Sequence, residues 1–384
     1  MKKIIIILVT FSLLLVSSYA FASVYGTWNM ESIWKSTLKQ GKAKPIIVTE
    51  NLSDVWTFQD DNSLKTNYFV GTWTQKAKSA SFTVTIGSDL MGLFLQNKLA
   101  SSGLPATVTI KKLRIFGSEK NIYGSGKKDW TIKGKYEIQA DLVFPDLSTG
   151  KLAINGSFTG TLPYDTSEYF PLGLGDSWTT KETQTKTAQE GEVTEVNIDT
   201  TSVFGTEKIK GVFAMKRGNT ETGSYDLMTN TNGLNIYKTY DTDYEDDVLV
   251  NETFDTFNPP LMYSPPKLSV GTRGTFKSTM THRESSGFKA TAKITVEMIV
   301  EGIEDVTVPA GTFEDCLKIS IKRDSIVKKL NHEELSLGTY WFAKGIGIVK
   351  REETNTMMNN NVVEETEIST EELLSATVSG VNYP

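Results

Sequence analysis

Cys316, the only cysteine of the 384-residue chain, is the first residue whose side chain could do chemistry. It lies in the stretch DVTVPAGTFEDCLKISIKRD, where Pro309 and Gly311 predict a turn between two strands. A cysteine nucleophile needs a base close to it in space. The two histidines, His282 and His332, are distant from it in the sequence. We therefore favour a framework cysteine in a half-buried sheet, with a Cys–His pair as the weaker alternative.

The segment DTDYEDD, residues 241–247, is the best candidate for a metal site, because alternating carboxylates can converge on Ca²⁺. A calcium loop of the EF-hand type needs a glycine at its sixth position and a glutamate at its twelfth. Counted from Asp241, those positions hold Asp246 and Glu252, so only half of the pattern is present. We interpret the segment as a solvated hairpin turn and predict no metal site.

Motifs for catalysis and cofactor binding are missing from the sequence. No Gly-x-Ser-x-Gly motif is present to position a serine nucleophile. The run GSGKK, residues 124–128, resembles a phosphate-binding loop, but it lacks the spacing and the following helix of such a loop. We therefore expect no catalytic residues, no cofactor and no enzymatic activity.

The tryptophans are the remaining candidates for a functional site. Aromatic side chains line ligand cavities in β-barrels, and they also fill cores. We predict that a hydrophobic ligand contacts six of them: Trp28, Trp56, Trp73, Trp130, Trp178 and Trp341. The alternative for each one is a place in a packed core.

Residues 1–22 have the three parts of a secretory signal peptide: a basic start, a short apolar run and small residues before Ser23. The apolar run, residues 4–16, is shorter than the roughly 20 residues that cross a membrane. We predict cleavage, a mature protein without a membrane span, and a location in the periplasm or outside the cell. A net charge of −6 without a basic block argues against a nucleic-acid partner.

The first half of the chain, residues 23–162, predicts an antiparallel barrel. Runs such as DVWTFQDDNSLKTNYF alternate apolar and polar residues and contain turn residues, as hairpins do. Residues 88–101 differ, because Met91, Leu95 and Leu99 recur every four residues and predict a short amphipathic helix. Returning strands with one helix favour an up-and-down barrel of about eight strands.

The motif YGTWNM, followed by VGTWTQ, resembles the lipocalin-like domains of exported bacterial proteins. The resemblance covers residues 24–161 and implies a barrel that can enclose a hydrophobic ligand. Trp28 and Trp73 belong to the two motifs, and the alternative is that they plug the barrel.

The second half, residues 163–384, predicts a β-domain with an internal repeat. LGLGDSW returns as LSVGTRGTF, and YDLMTNTNGLNIYK returns as YWFAKGIGIVK, in the same order. We predict two copies, residues 169–262 and 263–380, that build a curved antiparallel sheet or half-barrel. They join at FNPPLMYSPPK, whose four prolines are expected to interrupt strand pairing.

The runs YFPLGLGDSW, VTVPAGTFEDCLKI and YWFAKGIGIVKRE resemble an exported bacterial domain that has no settled activity. The resemblance spans residues 169–378 and implies architecture and export. By analogy of fold, its curved sheet is akin to the half-barrels of periplasmic lipid carriers.

Together these patterns predict an all-β, exported, non-catalytic binding protein that holds a lipid or another hydrophobic ligand. The first alternative is a cell-envelope or surface module that docks a protein partner. A hydrolase or a Ca²⁺-dependent enzyme is the third and weakest option.

Overall fold

Antiparallel strands close into two barrels, of eight and 12 strands, and two helices accompany them. The fold class predicted from the sequence is therefore confirmed. The structure is a computed structural model that describes residues 26–59, 61–75, 81–120, 131–188, 191–245, 248–327, 330–360 and 362–384. Within these ranges no helix is both long enough and apolar enough to cross a membrane. The predicted signal peptide lies outside the described residues.

The strands of the first barrel pair in sequence order, and β1 pairs with both β2 and β8, which closes the sheet. The strands are β1 (Gly26–Gln40), β2 (Ile46–Phe58), β3 (Ser63–Lys65), β4 (Val70–Gln75), β5 (Ser81–Ile86), β6 (Thr107–Lys120), β7 (Thr131–Val143) and β8 (Thr149–Thr161). Buried and exposed residues alternate along β1, because successive side chains of a strand point to opposite faces. Trp28, Met30 and Trp34 therefore point into the barrel.

Helix α1 (Ser88–Ser101) connects β5 to β6, and its position confirms the helix predicted for residues 88–101. Met91 and Leu95 are buried in the core of the first barrel. A Cβ at position 92 would lie 3.2 Å from the carbonyl oxygen of Val108. Glycine at this position therefore allows the helix to approach β6 closely.

A short connection, β9 (Tyr164–Asp165) and α2 (Thr166–Tyr169), follows the first barrel. Asp165 caps α2 by accepting a hydrogen bond of 3.0 Å from the backbone N–H of Ser167. Strand β9 pairs with β16 (Lys267–Leu268), and Lys267 Nζ lies 2.7 Å from Asp165 Oδ2. The connection is thus fastened to the second barrel rather than lying free as a linker.

The second barrel closes because its first and last long strands, β10 and β22, pair with each other. The predicted curved sheet is therefore complete, and its two edges meet. Its strands are β10 (Ser177–Ala188), β11 (Gly191–Ile209), β12 (Val212–Gly218), β13 (Tyr225–Thr229), β14 (Leu234–Glu245), β15 (Val248–Ser264), β17 (Arg273–Glu284), β18 (Lys289–Val308), β19 (Gly311–Val327), β20 (His332–Ala343), β21 (Gly347–Asn359) and β22 (Val362–Val378), with β23 (Val381–Tyr383) paired to the end of β22. Six of these barrel strands precede β16 and six follow it, and the internal repeat stays a prediction.

The proline-rich junction was expected to interrupt strand pairing, and the pairing does break there: β15 pairs with β17 only as far as Asn258, and residues 257–260 have no partner on β14. Strand β15 continues through Pro259 and Pro260 and ends at Ser264. The prolines are accommodated by a register shift, since Ile236 of β14 pairs with Leu261 whereas Lys238 pairs with Thr256. Between these two pairs β15 has four residues, 257–260, where β14 has only Tyr237. Neither proline therefore stands where an N–H group would have to donate a hydrogen bond to β14.

Gly26 is predicted to be essential where the two barrels touch. Its φ is +113°, and a Cβ there would collide with Ser269 Oγ and lie 2.9 Å from the carbonyl oxygen of Val270. We expect Gly26→Ala to cost about 1–3 kcal/mol of unfolding free energy, measured by urea denaturation. Gly103→Ala is the control, because Gly103 also has a positive φ but its Cβ would meet nothing within 4 Å. Equal losses in the two variants would contradict the contact.

Candidate functional site

The tryptophans predicted to bind ligand in the first barrel are buried inside it. Trp28 and Trp56 are 1% exposed and Trp73 is 7% exposed. Trp34, which was not among the predicted ligand contacts, lies in the same core. Trp130 lies outside the described residues.

Aromatic rings fill the interior of the first barrel by packing on one another. The Phe158 ring lies 5.2 Å from that of Trp56 and 5.1 Å from that of Tyr136, and the rings of Phe58 and Trp73 are 5.6 Å apart. The indole of Trp73 also donates a hydrogen bond of 3.1 Å to a backbone carbonyl. These contacts favour the alternative that the tryptophans of the first barrel form its core.

The interior of the second barrel is different, because its inner face carries charged residues. Residues that pair directly across neighbouring strands share a face of the sheet. One such row crosses six strands from β10 to β18, and its members are Glu182, Glu371, Arg351, Tyr340, Ile319 and Val300. Ile319 and Val300 belong to the buried core. The whole row therefore faces inward.

Arg351 is the centre of the charges on this side of the barrel. Its guanidinium lies 2.8 Å from Glu182, 3.0 Å from Glu371 and 3.8 Å from Glu353. Burial alone would lower the pKa of Arg351, but the negative charges of Glu371 and Glu353 outweigh it and raise the pKa. The arginine thus stays charged and holds carboxylates from β10, β21 and β22 together.

Glu353 connects Arg351 to the next strand. It accepts a hydrogen bond of 2.8 Å from the Tyr340 hydroxyl and a second one from the Ser336 hydroxyl. Burial opposes ionisation, yet the Ser336 bond and the Arg351 charge prevail, so the pKa of Glu353 is lowered.

Arg323 repeats this arrangement on β19. It donates a hydrogen bond to Glu334 of β20 and interacts with the hydroxyl of Tyr263. We call the six paired residues the charged wall: Glu182, Arg323, Glu334, Arg351, Glu353 and Glu371. Their side chains retain between 11% and 31% exposure although they point into the barrel.

A second inward row crosses the opposite side of the barrel. Its members, from β12 to β17, are Arg217, Asp226, Thr239, Asp255 and His282. Asp226 accepts a hydrogen bond of 2.6 Å from Thr239, and burial raises the pKa of Asp226. His282 lies 2.8 Å from Asp255 and 3.3 Å from Glu284.

Trp178, the first predicted ligand contact of the second barrel, lies inside it beneath an arginine. Its indole N–H donates a hydrogen bond of 2.6 Å to the Ile346 carbonyl. The guanidinium carbon of Arg217 lies 5.1 Å from the Trp178 ring centroid and 5.5 Å from that of Phe170. Phe170, Leu172 and Trp178 are buried at the end of the barrel next to α2, and we call these three residues the apolar floor.

Trp341, the other predicted contact, is on the outer face, because Tyr340 and Phe342 on either side of it face inward. Lys318 and Lys350 lie over its ring at 5.2 Å and 5.0 Å, and its indole donates a hydrogen bond of 2.6 Å to Glu304. Trp341 is nevertheless only 7% exposed, and both Trp178 and Trp341 belong to the core cluster of the second barrel.

Cys316 is fully buried, which is more than the half-buried position expected from the sequence. Burial, followed by the charges of Asp305 and Asp315, raises the pKa of Cys316 to about 11. The thiol is therefore protonated at neutral pH, whereas a nucleophile needs the thiolate.

The segment predicted as a hairpin turn, residues 241–247, continues β14 as far as Glu245, and residues 246 and 247 lie outside the description. Asp241 and Asp243 are thus strand residues. In the described parts of the chain, no group of three His, Cys, Asp or Glu side chains is arranged to hold a metal ion.

A shallow cleft of about 320 Å³ lies at one end of the second barrel and contains none of the predicted tryptophans. Its lining residues are Ser177, Thr179, Ser375, Ala376, Thr377, Asn382 and Tyr383.

Residues 250–367 match the family model described as DUF3108-like. This match begins in β15 and ends in β22, so it includes most of the charged wall. No curated protein matches the chain.

Solved structures that resemble parts of the chain come from three bacteria. A candidate lipoprotein from Parabacteroides distasonis ATCC 8503 is 15% identical, with a TM-score of 0.31 over 56% of this chain and 100% of that chain. A candidate exported protein with a YmcC-like fold from Bacteroides fragilis NCTC 9343 is 17% identical, with a TM-score of 0.31 over 54% of this chain and 97% of that chain. A mutant porin of Rh. blastica is 7% identical, with a TM-score of 0.21 over 90% of this chain and 99% of that chain.

Trp56 is predicted to matter for stability. We expect Trp56→Ala to lower the unfolding free energy by about 3–5 kcal/mol, because it would leave a cavity among packed rings. Phe213→Ala should cost clearly less, because the Phe213 side chain is 71% exposed. Urea denaturation of both variants provides the measurement, and an undiminished stability of Trp56→Ala would show that the ring is not part of the core.

His282 is predicted to stabilise the fold in a pH-dependent way. Burial disfavours its charged form, but the hydrogen bonds and charges of Asp255 and Glu284 prevail and raise its pKa. A raised pKa gives stability that is complete below the unfolded value of about 6.5 and is lost as the pH rises through the folded value. We expect His282→Gln to cost more at about pH 6 than at about pH 9 in urea denaturation. A cost that grows with pH would refute this sign.

Proposed function

We propose that the chain is an exported, non-catalytic binding protein whose second barrel holds an amphipathic ligand. The observation that carries the proposal is the charged wall, whose inward side chains stay partly exposed above an apolar floor. Burying charges without a solvated space is costly. The partial exposure of the charged wall is therefore best explained by a solvated lumen inside the second barrel.

The number of strands supports this proposal. A barrel of about eight strands has an interior that side chains can fill, and a larger number of strands widens it. The first barrel has eight strands, and its aromatic core fills the interior in this way. The second barrel has 12 strands, and by this rule we expect it to leave interior space that its side chains do not fill.

The lining of this lumen suits a ligand with both apolar and polar parts. Met215, Tyr263, Met280 and Tyr340 are half-buried and pack on the apolar core, so they leave apolar surface for a ligand. Methionine adapts to ligands of irregular shape. The polar part of the ligand would face the charged wall, and a lipid or a similar hydrophobic molecule with a polar group meets both requirements.

The lipocalin-like character of the first barrel is kept in this proposal as a resemblance of architecture. Its strand order supports that resemblance, but its packed rings leave the second barrel as the better ligand site. The absence of catalysis is proposed because the Cys316 thiol has a raised pKa and His282 is held between two carboxylates. Export to the periplasm or the cell exterior is inferred from residues 1–22.

Two neighbouring residues of β21 provide a matched test. Asn355 pairs with Ser336 and faces the lumen, whereas Thr354 pairs with the exposed Leu337 and faces outward. We expect Asn355→Trp to reduce the bound ligand about tenfold by filling the lumen, and Thr354→Trp to leave it unchanged. Native mass spectrometry of protein purified from its host, followed by organic extraction, measures the ligand. Equal occupancy in the two variants, or no ligand in the wild type, would refute the proposal.

A second candidate is a surface module that docks a protein of the cell envelope. Val196, Ile198 and Ile368 are 57%, 66% and 55% exposed, and they lie on the outer face of β11 and β22, on the two sides of β10. A wild-type protein without ligand that retains an envelope protein in a pull-down would favour this candidate over the first.

A further inference from the structure

Arg217 differs from the other inward arginines of the second barrel. Arg323 and Arg351 are each paired with glutamates of the charged wall. The contacts of Arg217 with described residues are the rings of Trp178 and Phe170, with no hydrogen bond or ion pair. A guanidinium has five N–H donors, so this side chain has unused capacity for an acceptor.

The carboxylates closest to Arg217 are engaged elsewhere. Asp226 pairs with it across β12 and β13, but its carboxylate accepts from Thr239 and its pKa is raised by burial. Glu371 lies 3.0 Å from Arg351. Burial also lowers the pKa of Arg217, as expected for a cation without a close counter-ion.

The surroundings of Arg217 suit an anion that carries an apolar group. Two aromatic rings hold the guanidinium plane, and the planar fork matches a carboxylate or a phosphate through two parallel hydrogen bonds. Met215, two residues earlier on the same face of β12, is half-buried and offers apolar surface beside it.

We propose that the ligand of the second barrel carries a carboxylate or phosphate group, which Arg217 binds above Trp178 and Phe170. This inference rests on the proposed function and adds the charge of the ligand to it. Arg351 and Arg323 are then positioning residues that keep the charged wall neutralised, while Arg217 touches the ligand.

Three probes of equal chain length separate the proposed function from the inference that the ligand is an anion. They are a long-chain fatty acid, the alkyl phosphate and the alcohol. Isothermal titration calorimetry with the delipidated full chain should give tighter binding of at least one anion than of the alcohol. Arg217→Gln should weaken that anion about tenfold or more and change the alcohol little, since a charge-assisted bond is lost. Arg283→Gln is the control, because Arg283 lies on the outward face of β17 and is exposed.

Each outcome decides something different. Binding of none of the three probes would overturn the proposed function and this inference with it. Binding of anion and alcohol with equal loss, or no loss, in Arg217→Gln would overturn the inference alone. If Arg217→Gln does not fold, Arg217→Lys replaces it. That variant keeps the positive charge but loses the planar fork, so it should weaken anion binding and change the alcohol little, and unchanged anion binding would refute the role of Arg217.

Discussion

The pairing of β10 with β22 is the constraint on which the second barrel depends. It runs from Ser177 opposite Thr377 to Ala188 opposite Glu365 and joins the two ends of the sheet. Closure removes the open edges, and it turns every second side chain toward a shared interior. Glu182 of β10 meets Arg351 of β21 across β22, although 169 residues separate them in the chain. The ion pairs of the interior are therefore a consequence of closure.

The two barrels fill their interiors in different ways, and the difference follows from their size. In the first barrel, rings such as Trp56 and Phe158 reach one another and occupy the space. In the wider barrel, long charged side chains extend inward, where a lone charge would be strongly destabilising. Arg351 is consequently surrounded by glutamates. Arg217 is the exception, and for this reason it is the residue from which a ligand can be inferred.

Local patterns were sufficient to predict most of the elements, although they predicted neither α2 nor the continuation of β14 to Glu245. The four-residue recurrence of Met91, Leu95 and Leu99 indicated helix α1, and the alternation after Cys316 indicated β19, whose Ile319 and Ile321 are buried. The same alternation could not distinguish the inside of a barrel from its outside where the residues are polar. In VKREE, for example, Arg351 and Glu353 are charged and nevertheless point inward.

The sequence by itself determined the strands, the helix, the turns and the chemical character of each strand face, because these depend on neighbours a few residues apart. Only the tertiary structure decided which face became the lumen and which tryptophans share a core. Trp178 was placed beneath Arg217 and Trp341 beneath two lysines on the outer face. These positions depend on the register between strands and on closure of the sheet. Both arise from contacts between residues far apart in the chain, which no local pattern records.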